Sequence, residues 1–250
     1  MTTAIKNLKK CIPYSAKVWV REKVLNYYGV PCSRHGVPAP LVARFRGGPP
    51  ITLIDIGASD GEFTERVCQF CGVSKALLIE IQPRRCEQLR DRFPHPSFQV
   101  VCGAAGSREE DREVDILAWD YSTSLLSIDR RDRNVVGTND YSVRERIKTK
   151  VRSLDSLCVE FDFVEEIDLL KLDVQGAEGM VLEGARETLR RVQSVWTEVS
   201  FRPLYEQSIT FPGVYDFLRS EGFHLIALED AYRGNDGELL QADALFVRGK

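Results

Sequence analysis

The stretch Ile51–Thr64, ITLIDIGASDGEFT, restricts what this chain can fold into more than any other. Ile51, Leu53 and Ile54 lead to Asp55, and Ile56 precedes a turn punctuated by Gly57 and Gly61. Beyond Gly61 the apolar residues Phe63, Val67, Phe70 and Cys71 recur at spacings of three and four, the period of one helix face. A buried strand, a tight turn and a helix start are the opening unit of a parallel α/β sheet. The turn is expected to aim backbone N–H groups and a helix N-terminus at a ligand. Gly57, without a Cβ, is expected to let the backbone approach that ligand. Asp55 falls at the strand's end, on the rim where open α/β sheets bind ligands.

Two ligand classes use such a turn. A dinucleotide site wants G-x-G-x-x-G around a pyrophosphate, and here only Gly57 and Gly61 are present, flanked by Asp55 and Asp60. Two carboxylates repel a pyrophosphate and suit a ligand carrying an ammonium and a sulfonium, S-adenosylmethionine.

A second apolar run, Leu77–Leu78–Ile79, ends in Glu80 and Ile81, about twenty residues beyond Gly57. A carboxylate there can accept hydrogen bonds from both hydroxyls of an adenosine ribose. Pro83 opens a helix through Arg92, a position proline tolerates, with Cys86 and Leu89 inward. Ser97–Cys102 reads as a third strand, followed by the small residues Gly103-Ala104-Ala105-Gly106, which leave room for a flat adenine near Ala104.

The middle of the chain is less regular. Val114–Trp119 alternates like a strand, Arg144–Arg152 is basic, and residues 107–153 together read as a strand pair plus a mobile lid. Ser153 or Asp155 caps a following helix. Order returns at Ile167–Glu178, IDLLKLDVQGAE: a fourth strand ending at Asp173, with Lys171 placed to snorkel or to pair with an acid. Ala177–Leu189 then reads as one helix. Asp173 thus joins Asp55 and Glu80 on one sheet rim. Val192–Ser200 is a fifth strand carrying Glu198, Phe211–Glu221 a helix, and Phe223–Leu228 and Ala242–Val247 the last strands, the final one antiparallel. His95 and His224 read as surface and structural residues respectively.

Two regions divide the chain: a helical extension with a Pro/Gly-rich linker over residues 1–50, and one catalytic-sized domain over 51–250. Ala4–Lys10 and Lys17–Tyr28 look helical and basic. Such a stretch fits weak contact with a membrane surface or an acidic partner, although a solvated face packed on its own domain is the expectation. His35, in the linker, is expected to be exposed. A net charge of −3 argues against a nucleic-acid partner, and no apolar run reaches the ~20 residues of a membrane span. The seven cysteines show no framework spacing, which fits a reducing cytoplasm. Cys68 and Cys71 lack a second pair, so no metal site is expected.

The strings LIDIGASDGEFT, IDLLKLDVQGAEGMVLEGA and TEVSFRPLYEQSITFPGVYDFLRSEGF resemble the FkbM family of S-adenosylmethionine-dependent methyltransferases, over about residues 51–230. The resemblance implies a Rossmann-like class I methyltransferase: a seven-stranded, mostly parallel sheet in the order 3-2-1-4-5-7-6, last strand antiparallel, helices on both faces. It implies that Asp55, Gly57 and Gly61, with Ala58 and Ser59 between them, hold the donor's methionine moiety. Glu80 would serve the ribose and Asp173 would line the transfer site, with Ile81, Ala104 and Asp173 also counted among the residues that hold the donor. Ser59 stands where the family more often has asparagine, and Gln175 where it often has glutamate. Family members methylate hydroxyls of sugars or natural-product scaffolds, so a small-molecule or glycan acceptor is implied.

An attacking hydroxyl must lose its proton, and Asp173 and Glu198 are the candidate bases. Two other functions stay open on the residues alone. An NAD-linked oxidoreductase predicts nicotinamide binding; a catalytically silent donor-binding scaffold predicts binding without turnover. N-methylation is a variant of the first reaction.

Overall fold

A computed structural model describes residues 37–118, 123–129, 140–234 and 236–249. The helices expected over Ala4–Lys10 and Lys17–Tyr28, His35, and much of the expected lid lie outside the described residues. The chain runs α1 (Ala39–Phe45), β1 (Ile51–Ile56), α2 (Glu62–Phe70), β2 (Val73–Glu80), α3 (Pro83–Arg92), β3 (Phe98–Cys102), β4 (Ala104–Ala105), β5 (Glu110–Leu117) and β6 (Val143–Arg152). It continues through α4 (Leu154–Glu160), β7 (Leu169–Leu172), α5 (Glu178–Glu183), α6 (Arg186–Leu189), β8 (Ser194–Ser200), α7 (Phe211–Ser220), β9 (Phe223–Arg233) and β10 (Leu239–Arg248).

Seven strands form one sheet in the order β3-β2-β1-β7-β8-β10-β9. β10 runs antiparallel to both neighbours, and the other pairs are parallel. This is the 3-2-1-4-5-7-6 order implied by the resemblance. Strand alternation divides the core. Leu53, Ala76, Leu78, Leu169, Trp196 and Leu245 pack on one face with α1, α2 and α3. Ile54, Ile56, Leu77, Ile79, Leu170, Leu172, Val195 and Val199 face the other way, against α4 to α7. Burying each such side chain contributes roughly 1.5–3 kcal/mol.

A second sheet, β4-β6-β5, was only half legible. The β5–β6 pair matches the expected strand pair, with Asp115 opposite Arg146 and Glu113 opposite Lys148. The small residues Ala104 and Ala105, expected to leave room for adenine beyond the third strand, also pair with Val151 and Arg152.

Three expectations are corrected. Within the expected Pro/Gly-rich linker, Ala39–Phe45 forms α1, because proline at a first helical turn costs no hydrogen bond. Leu41 and Val42 bury against the sheet. Ala177–Leu189 is two short helices, since Asp155, far away in sequence, accepts the N–H groups of Glu187 and Thr188 and starts α6 afresh. Ser153 is the cap of α4, through Ser156 N–H. Finally, Cys86 and Cys102 form a disulfide joining α3 to β3, which spacing alone did not signal. Among the described residues no helix is long and apolar enough to cross a membrane.

Candidate active site

The turn after β1 is closed by its own hydrogen bonds. The N–H groups of Gly57 and Ala58 both donate to Ile79 O, at 2.9 and 3.1 Å. Gly61 N–H donates to Ala58 O, Ser59 N–H to Glu80 Oε2 at 2.8 Å, and Glu62 N–H to Asp60 Oδ1. Donors expected to face a ligand are therefore used within the protein, and a pyrophosphate would find few here. The two glycines also answer to packing. Gly57 has φ +75°, and a Cβ there would overlap the carbonyl oxygen of Asp173. At Gly61, φ is +83° and a Cβ would press on Phe93 and Leu89. The close approach expected at Gly57 is thus made to the neighbouring strand end.

Asp55 is fully buried beneath this turn. Its Oδ2 accepts from Thr64 Oγ1 at 2.7 Å, and its Oδ1 lies 3.0 Å from Lys171 Nζ. Lys171 also donates to Gly57 O at 2.8 Å and lies 3.5 Å from Asp173 Oδ2. Burial alone would lower the Lys171 pKa, but Asp55 and Asp173 outweigh it and hold the ammonium charged well above the ordinary lysine range.

Above the rim lies a cavity enclosing about 700 Å³, part of it open to solvent. Gly57, Ser59, Glu80, Ile81, Ala104 and Asp173 line it, so the fold brings these expected site residues together. Asp55, Ala58 and Gly61 are not on its wall; they support the turn from behind. Glu198 is not on the wall either.

Glu80 is held by two backbone donors, Ser59 N–H on Oε2 and Gln82 N–H at 2.9 Å on Oε1. Burial raises its pKa, and those two hydrogen bonds and the Arg85 charge oppose the rise. Each carboxylate oxygen accepts more than one hydrogen bond, so Glu80 keeps capacity for two hydroxyl donors. Arg85, which bonds Ser59 Oγ, and Gln82 complete this end. Neither residue stands out in the sequence, although both lie at the start of α3, just after Glu80.

At the other end, Asp173 Oδ1 accepts from Gln175 Nε2 at 2.8 Å, and Gln175 Oε1 accepts from Tyr205 O–H at 3.2 Å. Glu178 Oε1 accepts the N–H groups of Val174 and Gly176 and fixes this loop. Burial pushes the Glu178 carboxyl up to about 7, with the Asp173 charge adding to the rise. Glu198 accepts from Gln241 Nε2 at 2.9 Å. Burial, then the charges of Asp173, Glu178 and Asp243, hold its pKa well above the usual carboxylate range. Tyr205 carried no local signal; it arrives by a bridge between Ile128 and Tyr205.

Among the described residues no group of three or more His, Cys, Asp or Glu is arranged to hold a metal. Cys68 and Cys71 are free thiols; burial raises both pKa values, that of Cys71 to about 11. His95 is exposed and closes its turn with Ser97.

The family described as "Methyltransferase FkbM domain" matches residues 55–225. The 2-O-methyltransferase NoeI of Sinorhizobium fredii (strain NBRC 101917 / NGR234) is 29% identical over 219 residues, 84% of this chain and 86% of its own. The crystal structure of the FkbM methyltransferase from Methylobacillus flagellatus KT superposes with a TM-score of 0.50 at 15% identity, over 79% of this chain. This chain spans 43% of that structure's length, and the likeness concerns the fold.

Proposed function

The chain belongs to the FkbM methyltransferase family, and we propose that it moves a methyl group from S-adenosylmethionine to a hydroxyl of a sugar, glycan or natural-product scaffold. One observation carries this reading: Glu80 stands on the cavity wall while the N–H groups of the preceding turn are already engaged. That arrangement accepts hydroxyl donors and a positive charge and is poor for a pyrophosphate. The 2-O-methyltransferase relative favours oxygen as the atom methylated.

The residues present fit the donor. Glu80 would take the ribose hydroxyls, Ile81 and Ala104 would flank the adenine, and Gly57 and Ser59 would border the methionine part. The donor, when bound, supplies an electrophilic methyl on a sulfonium. The protein's main contribution is then orientation, which can account for ~7–11 kcal/mol of barrier. Asp173 faces the cavity with Oδ1 and Oδ2 steadied by Gln175 and Lys171. Its remaining lone pairs can accept the hydrogen of an attacking hydroxyl. Glu198, half-buried, off the cavity wall and hydrogen-bonded to Gln241 of β10, is less well placed than Asp173 to act as base.

The test pairs calorimetry with product analysis. S-adenosylmethionine should bind and NAD⁺ should not. A donor labelled with ¹³C in its methyl should give an O-methyl carbon in the product by NMR. NAD⁺ binding in place of S-adenosylmethionine would overturn the assignment; donor binding with no turnover on any acceptor would favour a silent scaffold; an N-methyl product would move the reaction to nitrogen.

A further inference from the structure

Tyr205 is not on the wall of the cavity above the sheet rim, but segments that form that wall meet on it. Its side chain is buried, and its backbone bridges Ile128, in the segment that brings Thr123, Ser124 and Leu125 to the cavity. Ser127 O accepts from Glu206 N–H and Leu204 O from Asp129 N–H, each at 2.8 Å, so the bridge is closed on both sides. Ser124 Oγ donates to Val174 O at 3.4 Å and joins that segment to the loop after β7. The Tyr205 ring packs against the same loop: a Cβ added to Gly176, at φ +93°, would come within 2.8 Å of the ring. Gln175, one residue earlier, has φ +55°. A non-glycine residue keeps such a conformation only where its surroundings hold it.

That backbone brings the Gln175 side chain to Asp173. Nε2 donates to Asp173 Oδ1 at 2.8 Å, and Oε1 accepts from Tyr205 O–H at 3.2 Å. Turning the amide over would set Oε1 against a carboxylate oxygen, two acceptors with no hydrogen between them. The amide is therefore fixed from both ends, by the charge of Asp173 and by the hydroxyl of Tyr205. The Asp173 side chain is 44% exposed, and its other oxygen lies 3.5 Å from Lys171 Nζ. Without the amide, the carboxylate has room to turn. A base must stand within hydrogen-bond reach of the proton it takes, and a small misplacement lowers the rate sharply.

We propose that Tyr205 is a positioning residue for the transfer step: through Gln175 it holds the Asp173 carboxylate toward the acceptor hydroxyl. The proposal rests on the methyltransferase reading above. Among the described residues, the charged groups that interact with Asp173 are Lys171 on β7, Glu178 on α5 and Glu198 on β8, and the variants below leave all three in place. The full chain is incubated with donor tritiated in its methyl and a panel of glycans and polyphenols, and kinetic constants for the best acceptor are measured across pH. Tyr205→Phe should lower kcat at least fivefold, with the acceptor KM within threefold and the donor Kd within twofold. Gln175→Ala should lower kcat at least as much. Adding Tyr205→Phe to it should change kcat less than twofold, because the hydroxyl acts only through the amide. Gln175→Glu sets a second carboxylate against Asp173 Oδ1, and one of two such groups keeps its proton to higher pH. The acid limb of its kcat profile should therefore move up by at least one pH unit. Less than a fivefold loss in Tyr205→Phe, a further loss of twofold or more in the double variant, or an unmoved acid limb in Gln175→Glu would each overturn the positioning role alone. If Tyr205→Phe does not fold, Gln175→Ala and Gln175→Glu still decide, a wild-type result in either overturning the role. Donor binding with no label transferred by the wild type overturns the methyl-transfer reading and the positioning role with it.

Discussion

Lys171 lies directly opposite Asp55 across the β1–β7 pair, both side chains buried and 3.0 Å apart. Asp55 is therefore neutralised from inside the sheet, and the rim of acids contains its own cation. Removing one member of a buried pair leaves the other charge unpaired, at a cost of ~3–5 kcal/mol. Lys171→Met should lower stability by that amount in urea denaturation. The double variant with Asp55→Asn should lose less than the sum of the two singles. Additive losses would mean that the two side chains do not depend on each other.

Glu80 is the group assigned to the ribose. Hydrogen bonds to a charged acceptor contribute ~1.5–3 kcal/mol, so Glu80→Ala should weaken S-adenosylmethionine binding by about 10- to 100-fold in calorimetry. An unchanged Kd would remove Glu80 from the donor site.

Asp173→Asn keeps the side chain's shape and removes its charge. Turnover should fall by more than tenfold, within the ~10²–10⁴ range for a positioned base, while donor affinity changes little. Wild-type kcat in this variant would take Asp173 out of the chemistry.

Glu178 gives a pH-dependent stability. Its folded pKa, about 7, lies above its ordinary value of 4.5, so between those values the folded chain keeps a proton that the unfolded chain has lost. Its contribution is present below about pH 4.5 and declines as pH rises to about 7. Glu178→Gln retains an oxygen for the Val174 and Gly176 N–H groups without the titration. The variant's stability relative to wild type should therefore grow between pH 5 and pH 8, by up to ~3 kcal/mol. A constant difference across that range would refute a protonated Glu178.

The disulfide between Cys86 and Cys102 closes a loop with a sequence separation of 16. A loop near that length is stabilised by ~3 kcal/mol in the chain-entropy account. Reductant should lower the denaturation midpoint accordingly, and alkylation before reduction should leave Cys86 and Cys102 unlabelled. Labelling of both without reductant would show that the bond does not form.

The parts legible in the sequence were those with local period or composition. Apolar runs ending in Asp55, Glu80 and Asp173 marked three strands of one sheet and placed their ends on one rim. Pro83 marked the first turn of α3. Arg144–Arg152 was visible as a basic run, but not as a strand whose Arg146 and Lys148 face Asp115 and Glu113 across β5. Pro38 and Pro40 read as breakers because nothing local shows that Leu41 and Val42 have a sheet face to cover.

The sequence by itself determined the strand–turn–helix unit, the order of the main elements and the acids at their ends, because the chain's periodicity dictates which faces must be buried. Tertiary structure decided what each acid does. Asp55 was turned inward onto Lys171, Glu80 was held on the cavity wall by Ser59 and Gln82, and Tyr205 was brought to Gln175. Ionic and hydrogen-bond partners are chosen by distance in space, and residues more than a hundred positions apart, such as Asp55 and Lys171, meet only once the sheet has assembled.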